Sequence, residues 1–253
     1  MVCRSKNELK EVNDLKHLSR LDIEAIAEQY VRAYMELPEV QETKVYRIEP
    51  ELFLSRVLGL NVGYIHLSYD NSLLGLTSFE EVVVTVLTGA DEEENILLDG
   101  NTVLVESDLQ YDSKLRGRKN FTLMHEGSHQ IFKKLFPNEY SAVKNRTSPV
   151  RYYRANSEKG GRIRDWEEWQ ANALASAALL PKSLIMQGMY LFGLGEQIDC
   201  LNKIFRPAEF ERFSALADFL GCSKKALAIR MKQLGLVKKE YLDNPYDMVT
   251  VYM

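Results

Sequence analysis

His125-Glu126-Gly127-Ser128-His129 sets two imidazoles four residues apart, with a carboxylate beside the first. On a helix, residues i and i+4 share a face, so both rings can converge on one cation. Glu126 then stands next to them, able to take a proton from water held there. The chain has four histidines and 36 acidic residues among 253. A His-acid-x-x-His arises by chance in such a composition on the order of once in a hundred sequences. Two surface histidines on a helix are the bland alternative.

A zinc site that does chemistry needs a third protein ligand and an open fourth position. The next helical stretch supplies Glu167 and Glu168, and Glu168 is followed at i+4 by Asn172 on the same face. Glu168 is the expected ligand, with Asn172 hydrogen-bonded to a ligating histidine so as to fix its tautomer and ring orientation. Glu167 is expected to be solvated at the helix start, where its charge suits the dipole. The implied cofactor is Zn2+, which lowers the pKa of bound water toward ~7, with Glu126 as general base and a carbonyl as the electrophile. Peptide hydrolysis is the simplest such reaction. The developing oxyanion needs a further donor, and Tyr152, Tyr153, Arg162 and Arg164, just before the ligand helix, are the candidates.

These side chains need elements to hold them. Apolar residues at helical spacing over 22–36 predict an amphipathic helix with Asp22 as N-cap, and 50–58 a short helix stopped by Gly59. Alternation over Asn61–Leu67 and the branched run 82–87 read as strands, and 96–98 with 102–105 as a hairpin around Asp99-Gly100. The helical period returns from Phe121 to about Leu135, with Pro137 closing the segment, and again over Trp166–Leu180, capped by Asp165 and ended by Pro181. Between them, residues 137–164 form a long polar connection with seven Lys/Arg against Glu139 and Glu158.

The two motifs together resemble those of the ImmA/IrrE family of zinc metallopeptidases. Arg116-Gly117-Arg118-Lys119-Asn120-Phe121-Thr122-Leu123-Met124-His125-Glu126-Gly127-Ser128-His129 is similar to the family's Arg-x-Arg-Phe-Thr-Leu-Ala-His-Glu-Leu-Gly-His. Glu168-Trp169-Gln170-Ala171-Asn172-Ala173-Leu174-Ala175, continuing to Leu179-Leu180-Pro181, follows its Glu-x-x-Ala-Asn-x-Phe-Ala and Leu-Leu-x-Pro pattern. Upstream segments, Leu74-Gly75-Leu76-Thr77 among them, extend the likeness over most of residues 20–185. The resemblance implies zinc on His125, His129 and Glu168, Glu126 as base, a cytoplasmic location, and cleavage of a helix-turn-helix repressor of a phage or mobile element. Gly127-Ser128 stands where the family has Leu-Gly, which puts a helix-weakening glycine beside Glu126.

From Lys203 to Glu240 nine Lys/Arg face four acids, although the whole chain carries a net charge of -4. Phe213–Leu220 and Lys224–Met231 flank Gly221-Cys222-Ser223 as a helix-turn-helix-like pair with Ser223 as cap. DNA contact through residues 210–240 is one reading of that charge, packing on the catalytic body or gripping the substrate another. Three widely spaced cysteines argue against a disulfide scaffold and fit a reducing cytoplasm, and no apolar run suggests a leader or a membrane span.

The expected fold class is α+β: a zincin-like helical metallopeptidase core with a small, mostly antiparallel sheet over residues 1–200, and a helix-turn-helix-like helical segment over 201–253. The expected function is zinc-dependent endopeptidase action on a regulatory protein, a helix-turn-helix repressor of a phage or mobile element being the substrate the resemblance implies. The alternative is a metal-containing transcriptional regulator that binds DNA or a partner without proteolysis.

Overall fold

A computed structural model describes residues 18–43, 47–89, 92–138, 150–154 and 166–249. Helix α1 (Arg20–Met35) begins at Ser19 rather than at Asp22. The Ser19 hydroxyl accepts from the Asp22 amide while the Asp22 carboxylate accepts from the Ser19 N–H, so the acid serves three residues inside the helix as half of a capping box. After α2 (Pro38–Thr43), α3 (Pro50–Leu52) runs on as a π-helical turn (Phe53–Leu58) and ends, as its sequence predicts, at Gly59, whose φ of 69° suits glycine.

Strands β1 (Asn61–Ile65), β2 (Leu73–Ser78), β3 (Glu81–Leu87), β4 (Glu93–Asp99) and β5 (Thr102–Glu106) follow. The short α4 (Asp108–Tyr111) then leads to α5 (Arg116–Leu135). A sixth strand, β6 (Val150–Arg154), rises from the connection expected to be irregular. The main sheet has the order β1-β5-β2-β6, with β1 and β5 parallel and the other two pairings antiparallel. The expected hairpin across Asp99-Gly100 does not form. Instead β4 pairs with β3, and β5 lies between β1 and β2 with both edges occupied. Gly100, at φ 79°, turns the chain from one layer to the other, and a side chain there would meet the Glu80 backbone at 3.0 Å. One face of the β3–β4 hairpin packs Val84, Val86 and Leu98 onto Leu76 and Leu104 of the main sheet.

Helices α6 (Trp166–Leu179) and α7 (Lys182–Leu191) complete the body. Ala171, Ala175 and Ala178 are fully buried, and such small side chains let α6 lie close to both α1 and α5. Leu123, Met124, Ile131 and Phe132 of α5 meet Leu174 and Leu179 in the core. Each large apolar side chain buried there contributes about 1.5–3 kcal/mol.

β7 (Ile198–Leu201) pairs in parallel with β8 (Val237–Glu240), enclosing α8 (Pro207–Leu220) and α9 (Lys224–Gln233) between them. A boundary at residue 200 thus falls inside a strand. Gly221 ends α8 in the left-handed conformation and the Ser223 hydroxyl caps α9, as the residues suggest. The pair is docked on α5: the Asn120 amide donates to the Gly221 carbonyl at 2.8 Å, and Arg116 donates to the Asp218 carbonyl. Gly117 permits this approach, since a β-carbon there would stand 2.8 Å from the Ser223 nitrogen. The chain is therefore a mixed α/β protein with small sheets, and no helix among the described residues is long and apolar enough to cross a membrane.

Candidate metal centre

The middle of α5 is buried on all sides, which is why its polar residues must be accounted for one by one. Gln130 donates to the Thr77 hydroxyl and the Ser78 carbonyl, both at 2.7 Å, pinning α5 to the end of β2. Ser128 donates back to the Met124 carbonyl at 2.7 Å. Gly127 has a packing reason: a β-carbon there would lie 3.0 Å from Leu54 of the π-helical turn. The glycine gives up some helix propensity so that the two helices can close on each other.

At this level His125 and His129 turn their rings toward Glu168 in the first turn of α6. His125 Nε2 is 3.2 Å from Glu168 Oε2, and His129 Nε2 is 3.3 Å from Glu168 Oε1. The two Nε2 atoms are 3.2 Å apart. Asn172 Oδ1 lies 3.1 Å from His125 Nδ1 and accepts its proton in the tautomer that leaves the Nε2 lone pair facing the centre. Both imidazoles are buried, whereas the Glu168 side chain keeps 28% of its exposure. These three residues form a group that could hold a metal ion.

The electrostatics follow from the burial. Desolvation pushes the His125 ring below its ordinary range despite the attraction of Glu168. Burial alone would raise Glu168, but hydrogen bonds from His125 and His129 outweigh it and hold the carboxyl far below the usual carboxylate range. Glu126 is fully buried, and its carboxyl is raised well above the ordinary value by desolvation and then by the charge of Glu168. Neither Glu126 oxygen nor His129 Nδ1 has a hydrogen-bond partner among the described residues. A buried carboxyl group left without a hydrogen-bond partner costs about 1–3 kcal/mol even in its neutral form.

Tyr153 on β6 lays its ring 4.2 Å, centroid to centroid, from that of His125. Tyr152 alternates to the opposite side of the strand and is 45% exposed. Arg162, Arg164 and Asp165 lie outside the described residues. Glu167 is not solvated as expected: it pairs with Arg151 of β6, which ties the start of α6 to the sheet. Gly75 enters the sequence reading only as part of the family likeness, and its place at the site was missed; the signal was a glycine inside an apolar run. β2 runs so close to α5 that the position leaves room for nothing larger.

His66, Glu106 and Asp108 form a second group of donors. There the Glu106 oxygens accept from His66 Nδ1 and the Leu67 N–H, each at 2.8 Å, and Asp108 accepts from Asn71. Those carboxylates already have partners. No protein-family model matches the chain, and no curated protein does.

Proposed function

We propose that the protein is a zinc-dependent endopeptidase that hydrolyses a peptide bond in a regulatory protein. The observation that carries this reading is the convergence of His125, His129 and Glu168 beside a buried, unpartnered Glu126. Donors bound to zinc at about 2.0–2.2 Å in a tetrahedron stand roughly 3.3–3.6 Å from one another, which the donor separations of 3.2–3.3 Å approach. Two neutral nitrogens and one carboxylate are also a donor set that zinc prefers.

Bound by these three residues, the ion would supply Lewis-acid chemistry, polarising the scissile carbonyl and making water a better proton donor. Glu126 takes the proton from the attacking water and passes it to the departing amine. Its apolar surroundings and lack of competing hydrogen bonds leave both oxygens available for this transfer. Asn172 holds the His125 ring in register, and Tyr153 restricts its tilt from the sheet side. Of the two oxyanion-donor candidates among the described residues, Tyr153 is the one whose ring lies against a ligand ring.

The likeness to the ImmA/IrrE peptidases supports a helix-turn-helix repressor of a phage or mobile element as the substrate, met in the cytoplasm. A second reading, a metal-containing regulator that binds DNA without cutting protein, draws on the α8–α9 pair and the exposed Lys224 and Lys225 on α9. Against it, Arg230 of that helix is buried in an internal ion pair with Glu24. The deciding experiment incubates the purified protein with whatever helix-turn-helix protein is encoded beside its gene. Stoichiometric zinc, a discrete cut, and a Glu126→Gln variant that keeps zinc but leaves that protein whole are expected. Zinc at trace level, or an unchanged cut by Glu126→Gln, would overturn the peptidase reading.

A further inference from the structure

Beside the candidate metal centre a cavity of about 510 Å³ opens between α1, α5, α6 and α9, with Asn172 and Tyr153, the neighbours of His125, in its wall. None of His125, Glu126, His129 and Glu168 lines it. Its size is within the range of sites that take drug-sized molecules. Ile23, Phe121, Trp169 and Ile229 give it apolar walls, and Ile229 is 48% exposed although it is a large aliphatic side chain.

The charge around this cavity has one sign. Arg20, Arg118, Lys225 and Arg230 line it, against the single carboxylate of Glu24. Glu24 is already taken by Arg230, and Lys225 by Asp243. Arg20 and Arg118 have no carboxylate partner among the described residues; the Arg20 guanidinium instead lies 6.0 Å from the centre of the Trp169 ring. Arg118 sits in the first turn of α5, which carries no acid at all. A cation at that end of a helix is unfavourable by itself, and a bound anion would offset it. Thr122 forms part of the inner wall, fully buried.

From this combination we infer that the cavity is a binding site for an amphipathic organic anion, an aromatic or aliphatic body bearing one acidic group. The body fills the space between Phe121, Trp169 and Ile229, and the acidic group meets Arg118 and Arg20. Because α9 forms one wall and α5 and α6 the others, such a ligand also bridges the C-terminal helices to the body. The cavity shares Asn172 and Tyr153 with the proposed peptidase site, but the inference does not rest on that reading, since binding here needs neither metal nor catalysis.

The test uses the full chain and 8-anilinonaphthalene-1-sulfonate, an aromatic anion whose fluorescence rises on leaving water. Saturable binding of one dye per chain is expected. Arg118→Glu, a change at an exposed position, should weaken it at least tenfold while the thermal transition is retained. Ser176→Phe, which fills the cavity from α6, should abolish it. N-phenyl-1-naphthylamine, with a similar ring system and no charge, should bind the native chain at least fivefold more weakly and should not respond to Arg118→Glu. Absence of one-to-one binding, indifference of the dye to Arg118→Glu, or equal affinity for the neutral amine would overturn the proposal. So would a dimer that excludes the dye and is dissociated by Arg118→Glu, because the occupant would then be a second copy of the chain. Should Ser176→Phe fail to fold, Arg118→Glu and the neutral amine still decide.

Discussion

A β-carbon on Gly75 would stand 2.7 Å from Oε1 of Glu126, so strand β2 and the proposed base occupy one space that only glycine lets them share. Gly75→Ala should therefore displace the Glu126 carboxylate without touching a metal ligand. Cleavage of the substrate is expected to fall at least tenfold while zinc stays stoichiometric, as read by metal analysis and a cleavage assay on the same sample. A variant with native cleavage would show that Glu126 does not need its present position.

Asn172 acts on the site through His125 alone. Its replacement by alanine removes the acceptor 3.1 Å from Nδ1 and frees the ring to change tautomer and orientation. Loss of such outer partners typically costs 10–100-fold in metal affinity. Competition with a chromophoric chelator should show zinc affinity lowered by roughly that factor in Asn172→Ala.

Arg230 is 3% exposed and holds three acceptors, the two Glu24 oxygens and the Leu180 carbonyl at 3.1 Å. Breaking a fully buried pair costs about 3–5 kcal/mol, but the Glu24 side chain keeps 43% exposure and can regain water. Arg230→Ala is expected to lower stability in urea by about 2–3 kcal/mol, and Glu24→Gln by less, since it leaves an oxygen to accept. Equal stability of Arg230→Ala and the native chain would mean that α9 is not held by this pair.

Burial, and then the charge of Asp218, pushes the Cys222 thiol up to about 12 from an ordinary 9.0. A group whose proton is held more tightly in the folded state stabilises below its unfolded pKa and loses that contribution as pH rises toward the folded one. The contribution of Cys222 is thus complete below about pH 9 and declines toward pH 12. At pH 8, iodoacetamide should leave Cys222 unmodified in the native protein and label it once urea unfolds the chain. The half-buried Cys200 should react sooner, with the two peptides followed by mass spectrometry.

The parts of this molecule that could be read from its residues are those governed by short-range rules. The i, i+4 histidines, the Glu168–Asn172 face, the glycine that ends the turn at Leu58 and the Ser223 cap all depend on spacing within one helix or its end. Strand β2 escaped because Leu73–Ser78 is buried on both faces and so shows no alternation. β6 is Val150 followed by two Arg and two Tyr inside a basic connection, and only its pairing with β2 makes it a strand. The Asp99-Gly100 turn signal is real, yet which strand pairs with β4 is settled by contacts far apart in sequence. Arg230 counted toward an exposed basic patch for the same reason, as its partner Glu24 is remote in the chain.

That remoteness has a consequence in time. Arg230 follows Glu24 by 206 residues, which at about 5–20 residues per second of synthesis separates the two by roughly 10–40 s on the ribosome. Every donor of the candidate metal centre has been made before α9 exists. A growing chain can therefore gather His125, His129 and Glu168 before it closes the cavity beside them.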